Sequence, residues 1–229
     1  MIYTVTLNPA LDCFVRPDEF LPGGVCRYDS ARFLPGGKGV NVSLLLKSLG
    51  AETVAAGITA GFTGRELTAL LGRAGCPADF MELHKGLTRV NIKILPKGRP
   101  ETALNGGGPE IALGDLRPLE DRLARLQKGD LLVLAGSVPG SLPEEVYARL
   151  MGAAPRGVET VVDTSGPALI EAVRKGPFLI KPNLEELGEV FGERLEGTEA
   201  AIAHARRLEC GRHPGRRRSP AADRGGQAP

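Results

Sequence analysis

Apolar positions along the chain fall into short unbroken blocks and helical stripes that follow one another in alternation. Residues 2–7, Ile-Tyr-Thr-Val-Thr-Leu, form a β-branched block stopped by Asn8-Pro9, which predicts a buried first strand. Val42, Leu45, Leu46 and Leu49 recur at helical spacing and run out at Gly50, predicting a helix whose apolar stripe is those four residues and whose C-cap is left-handed. A strand over 53–58, a helix over 63–74 and a strand near 80–83 follow. Next come a helix over 116–126 striped by Leu119, Leu123 and Leu126, a strand over 131–134, a helix over 143–151 and a strand over 160–162 ending in Asp163. The pattern closes with a core strand over 178–180, a helix capped by Asn183 and Glu186, and a helix over 198–208. Strands and helices alternating in this order predict an α/β fold with a mostly parallel sheet.

A second pattern interrupts the first. Arg89-Val90-Asn91-Ile92-Lys93-Ile94 alternates strictly, with Val90, Ile92 and Ile94 on one face and Arg89, Asn91 and Lys93 on the other. Residues 101–104 are placed to pair with it, and residues 14–16 and 25–33, on either side of the turn Leu21-Pro22-Gly23-Gly24, read as exposed strands of a small flap.

With 229 residues, 42% of them hydrophobic, the chain is long enough for one well-buried α/β domain. Lys and Arg number 29 against 27 Asp and Glu, a balance too even to indicate a nucleic-acid or membrane partner. Residues 210–229 are the exception, with five arginines, one aspartate and no Leu, Ile, Val or aromatic residue; a disordered tail is expected there. Cys13, Cys26, Cys76 and Cys210 lack C-x-x-C spacing, which argues against a bound structural metal and fits reduced thiols in a cytoplasmic protein. The N-terminus carries no signal-peptide pattern.

Candidate chemistry gathers at the ends of the predicted strands. Pro35-Gly36-Gly37-Lys38-Gly39-Val40-Asn41 opens into a helix, where free N–H groups, a glycine backbone and the Lys38 charge suit a phosphorylated or polyhydroxylated ligand. It is not a P-loop, because Gly39 follows the lysine where a Ser or Thr is required. Asp12 follows the first strand and reads equally as an acceptor for sugar hydroxyls or as part of an Asx turn. Arg89 can fork onto a phosphate, whereas Lys93 fits a solvated edge. The loop Gly136-Ser137-Val138-Pro139 follows an apolar strand and is either an N–H cradle for phosphate or a plain connection. Asp163 ends its strand where magnesium-positioning carboxylates are found. Asn183 and Glu186 suffice as a capping box, but Lys181, between a strand and a proline, needs a partner.

Together the stretches Thr6-Leu7-Asn8-Pro9-Ala10-Leu11-Asp12, Pro35 to Asn41, Thr88-Arg89-Val90-Asn91, Gly136-Ser137-Val138-Pro139 and Lys181-Pro182-Asn183-x-x-Glu186 resemble the PfkB (ribokinase-like) sugar kinases. The resemblance covers residues 1–209. It implies a three-layer α/β core with a small β lid, lid strands within about 12–33 and 88–105, and two copies pairing through the lid. It also implies transfer of the γ-phosphoryl of ATP, with Mg2+, to a phosphorylated ketohexose. Fructose 1-phosphate is the leading substrate and tagatose 6-phosphate or fructose 6-phosphate the alternatives. By the same resemblance Asp12, Gly37 and Asn41 contact sugar hydroxyls, and Lys38, Arg89 and Ser137 surround the sugar's phosphate. Asp163, Lys181, Asn183 and Glu186 then belong to the nucleotide and magnesium region. The Gly-Ala-Gly-Asp motif that carries the family's proton-accepting aspartate does not occur, so no catalytic base is assigned. The family pattern gives way near Glu209, as a shift of reading frame would produce, and a sugar-phosphate-binding fragment without turnover is the competing expectation.

Overall fold

β1 (Ile2–Thr6) lies inside a six-stranded sheet because four of its five residues are wholly buried, as the uninterrupted apolar block requires. The computed structural model describes residues 1–209; the disordered tail expected from Cys210 lies outside them. Backbone packing divides the chain into two units, Met1–Lys181 and Pro182–Pro229.

In the first unit β4 (Thr53–Ala60) and β5 (Ala78–Leu83) extend the sheet from one side of β1, and β8 (Leu131–Ala135), β9 (Glu159–Asp163) and β10 (Leu179–Ile180) from the other. All five ladders are parallel. Growth in opposite directions, with right-handed crossovers, puts α1 (Lys38–Ser48) and α2 (Gly61–Arg73) on one face and α4 (Val146–Ala153) and α5 (Gly166–Arg174) on the other. A 3₁₀ turn at Leu113–Leu116 leads into α3 (Arg117–Leu123), where Leu119 and Leu123 are fully buried as their stripe predicts.

A second sheet, in the order β3-β2-β6-β7, is built from β2 (Ala10–Val15), β3 (Ala31–Gly36), β6 (Arg89–Ile94) and β7 (Thr102–Asn105). β6 has the predicted bounds, but the hairpin differs from the expected 14–16 and 25–33: residues 16–30 form no strand and Val25 is 87% exposed. Pairing with β6 draws the start of β2 back to Ala10, and Pro35 and Gly36 extend β3 instead of preceding a helix as loop.

α1 turns a different face to the sheet than its leucines suggest. Gly39, Val40 and Ser43 are buried, while Leu45 and Leu49 are largely exposed. Small residues let the helix settle close to β1 and β4, and there Ser43 Oγ bridges Thr4 Oγ1 at 2.8 Å and Thr53 Oγ1 at 2.9 Å, a buried hydroxyl ladder tying helix to sheet. β10 is shorter and more exposed than a core strand, with Phe178 and Leu179 both more than half accessible. Cys13 and Cys76 are free thiols whose pKa burial pushes up, which makes them poor nucleophiles. No helix among the described residues is long and apolar enough to cross a membrane.

The second unit holds α6 (Leu184–Phe191) and α7 (Gly197–Glu209). Asn183 Oδ1 accepts from the Glu186 backbone N–H and Glu186 Oε2 from that of Asn183, both at 2.8 Å, so the predicted capping box is closed in both directions. Phe191 meets the His204 ring edge-on at 4.8 Å, and the Arg207 guanidinium lies over its face at 4.5 Å.

Candidate functional site

The carboxyl ends of β1 and β8 lie side by side where the strand order reverses, and such a reversal opens the crevice in which α/β sheets take their ligands. Asn8, two residues past β1, spans this crevice. Its Nδ2 donates to Ser137 Oγ beyond β8 at 3.4 Å, and its backbone carbonyl accepts from Arg89 Nε at 3.1 Å. Arg89 is thereby anchored at the first residue of β6 by one of its nitrogens. Burial lowers its guanidinium pKa, and the charge of Asp12 opposes that shift.

Asp12 sits in β2 directly opposite Asn91 of β6, and Asn91 Nδ2 donates to Asp12 Oδ1 at 2.7 Å. Gly36 lies against the other oxygen: a methyl group there would come within 2.4 Å of Asp12 Oδ2. Because Ala10, Asp12 and Phe14 register with Arg89, Asn91 and Lys93, one face of the small sheet carries the polar row. The opposite face carries Phe33, Cys13, Ile92 and Leu104 across four strands, with Phe33, Ile92 and Leu104 exposed. The alternation of β6 is thus as predicted, but Asn91 on its polar side is more buried than Ile92 on its apolar side.

Gly37 precedes α1 at φ +115°, a left-handed conformation that favours glycine, and a β-carbon there would lie 3.2 Å from Pro9 Cα. α1 has no side-chain N-cap and no acidic residue in its first turn. Asn41 is exposed on that first turn. Lys38 Nζ donates to Asp163 Oδ1 at 3.1 Å, and Lys181 Nζ approaches the same oxygen at 3.5 Å. Asp163 is therefore the partner that Lys181 needed. Its side chain is only 13% exposed, against 71% for Lys181. The loop after β8 is fixed from behind: Gly136 N–H donates to the Asp163 carbonyl at 3.0 Å, and the Gly136 carbonyl accepts from Tyr147 Oη at 3.0 Å and Thr164 Oγ1 at 2.9 Å. Burial, reinforced by Asp163, pushes the Tyr147 phenol pKa up and keeps it a neutral donor.

Of the ten residues singled out in the sequence, the first unit joins Arg89 and Ser137 through Asn8, joins Lys38 and Lys181 through Asp163, pairs Asp12 with Asn91, and places Gly37 and Asn41 at the start of α1. Asn183 and Glu186 belong to the second unit and complete each other's cap. Sequence reasoning passed over Asn8 and Asn91 as site residues. For Asn91 the available signal was an asparagine held inside a strand pattern, where that residue type is poorly favoured. Among the described residues no group of three or more His, Cys, Asp or Glu is placed to hold a metal ion.

This geometry defines an α/β protein whose crevice collects cations, amides and the carboxylates Asp12 and Asp163 beside a small second sheet. The model of the pfkB family carbohydrate kinases matches residues 7–212, and the chain belongs to that family. It is 42% identical over 209 residues to a 1-phosphofructokinase of Bacillus subtilis, spanning 91% of this chain and 68% of the relative's length. It is 37% identical to a D-tagatose-1-phosphate kinase of Bacillus licheniformis, over 89% and 66% of the two chains. Among solved structures, phosphofructokinase-2 from Escherichia coli in complex with fructose-6-phosphate superposes with a TM-score of 0.85 at 30% identity, covering 90% of this chain and 69% of that one.

Proposed function

We propose that the chain carries the sugar-phosphate side, and part of the nucleotide side, of a kinase that transfers the γ-phosphoryl of ATP to fructose 1-phosphate, giving fructose 1,6-bisphosphate. The observation that carries this reading is the Asn8 bridge, which joins Arg89 of the lid to Ser137 of the core across the sheet's reversal point. In this arrangement Asp12 accepts a sugar hydroxyl, Gly37 and Asn41 line the same hydroxyls, and Arg89, Lys38 and Ser137 take the phosphate that the sugar already bears. By the family resemblance, Asp163, Lys181, Asn183 and Glu186 are the residues assigned to nucleotide and magnesium. Magnesium, when bound with ATP, neutralises phosphate charge; phosphoryl transfer depends mainly on such neutralisation and on positioning. Tagatose 6-phosphate and fructose 6-phosphate differ in which hydroxyl meets the γ-phosphoryl and are the competing substrates. The free thiols agree with action in the cytoplasm.

A second reading, binding without turnover, draws on the carboxylates themselves. Asp163 Oδ1 is shared by two ammonium groups and Asp12 Oδ1 already holds an Asn91 N–H, so both carboxylates are committed to contacts within the chain. Titration calorimetry with the three ketohexose phosphates, beside a coupled assay of ADP release, separates the readings. Tightest binding of fructose 1-phosphate supports the substrate assignment, and ADP release with that sugar supports the kinase over the binding protein. No binding of any of the three would overturn both readings.

The apolar row Phe33, Ile92 and Leu104 on the outer face of the lid supports pairing of two copies there. The Escherichia coli relative is described in a tetrameric inhibited form. Ile92→Lys should shift the sedimentation coefficient to that of a monomer; an unchanged value would place the contact elsewhere.

A further inference from the structure

We infer that Asn91 is a positioning residue for Asp12, an inference that rests on the sugar-phosphate reading above. Asn91 lies in the centre of β6 with 8% of its surface exposed, in a setting where Val, Ile or Thr is the ordinary choice. Its Oδ1 is buried and has no hydrogen-bond partner, a cost that an apolar residue of similar size would not incur. Packing therefore does not account for the carboxamide. Its other end does, because Nδ2 donates to Asp12 Oδ1 at 2.7 Å from the directly opposite position in the parallel pair. Gly36 leaves room for the remaining oxygen, whose space a side chain there would invade at 2.4 Å. One oxygen of Asp12 is held by a donor and the other is aimed through the gap left by a glycine. The hydrogen bond thus orients the carboxylate before any ligand arrives and leaves Oδ2 as the acceptor for a sugar hydroxyl. Preorganisation of this kind lowers the ordering cost of binding and discriminates by hydroxyl geometry.

The test is a double-mutant cycle on the full 229-residue chain, read by calorimetry with fructose 1-phosphate. Asn91→Leu removes the donor at nearly constant volume and should weaken binding by about tenfold, the lower range for a charge-assisted hydrogen bond. In an Asp12→Ala background the same substitution should change affinity by less than about twofold, because the group it positions is gone. Nucleotide affinity should not move in either background. If leucine disturbs the lid, Asn91→Ala, which adds no volume, carries the same cycle. Wild-type affinity in Asn91→Leu and Asn91→Ala, or an equal loss with and without Asp12, overturns the positioning role and leaves the functional reading standing. Failure of the unmodified chain to bind any ketohexose phosphate overturns that reading, and the positioning role falls with it.

Discussion

Gly36 stands where any side chain would strike Asp12: its missing β-carbon would lie 2.4 Å from Oδ2 and 2.9 Å from Oδ1. Gly36→Ala therefore has to turn the carboxylate out of its place between β2 and β6. Fructose 1-phosphate affinity should fall by at least about tenfold, roughly 1.4 kcal/mol, as measured by calorimetry. Unchanged affinity would remove Asp12 from the sugar site.

Arg89→Ala should weaken sugar-phosphate binding by the ~1.5 to 3 kcal/mol of a charge-assisted hydrogen bond and leave nucleotide affinity alone. Arg89 Nε is committed to the Asn8 carbonyl, so the terminal nitrogens are the ones offered to phosphate. Lysine cannot both hold Asn8 and reach a phosphate in the same plane. Arg89→Lys should thus recover only part of the loss.

The hydroxyl ladder predicts opposite outcomes for the two faces of α1. Ser43→Ala strands Thr4 and Thr53 in the buried interface and should cost about 1 to 3 kcal/mol; Ser43→Val adds volume where the helix sits close and should also destabilise, by about 1 to 3 kcal/mol. Leu45→Lys, on the exposed face, should stay within about 0.5 kcal/mol. Urea denaturation of the three variants checks this, and a large loss for Leu45→Lys would reverse the assignment of faces.

Glu120 of α3 accepts from Arg149 of α4 at 2.9 Å, and that hydrogen bond holds its carboxyl below the usual carboxylate range. With its folded pKa depressed, the pair stabilises fully above the unfolded value of about 4.3 and loses its contribution as pH falls through the lower folded value. Glu120→Gln should lower stability near neutrality by no more than about 1 kcal/mol. The gap from wild type should narrow as pH drops below about 4. A gap that persists at pH 2 would show that the loss is one of packing.

The capping box at Asn183 and the alternation of β6 were legible because each depends on neighbours within a few residues, a distance over which sequence and geometry are nearly the same thing. The inward face of α1 was not. A hydrophobic stripe marks the buried side of a helix that packs through large side chains, but this helix approaches its sheet through Gly39, Val40 and Ser43. Closeness of that kind depends on Thr4 and Thr53, distant in sequence. The β2–β3 hairpin was hidden for a related reason. Pro35 and Gly36 look like loop residues until β2 is there to pair with them. α5, for which the sequence pattern gave no helix, begins with Gly166-Pro167, and a proline is well tolerated in a first helical turn. In the candidate site, residue types alone drew attention to Asp12, Lys38 and Arg89, whereas Asn8 and Asn91 needed the contacts that only folding supplies.

The sharing of Asp163 by Lys38 and Lys181 means that this end of the crevice carries its own tethered counter-ion. An incoming phosphate exchanges with a carboxylate that stays attached to the chain, where an open cluster of lysines would exchange with dissolved chloride. Dissolved salt then has less to compete for. Affinity for phosphorylated ligands should fall with ionic strength more gently than the number of cations implies, and small inorganic anions should be poor occupants of a position already filled from within.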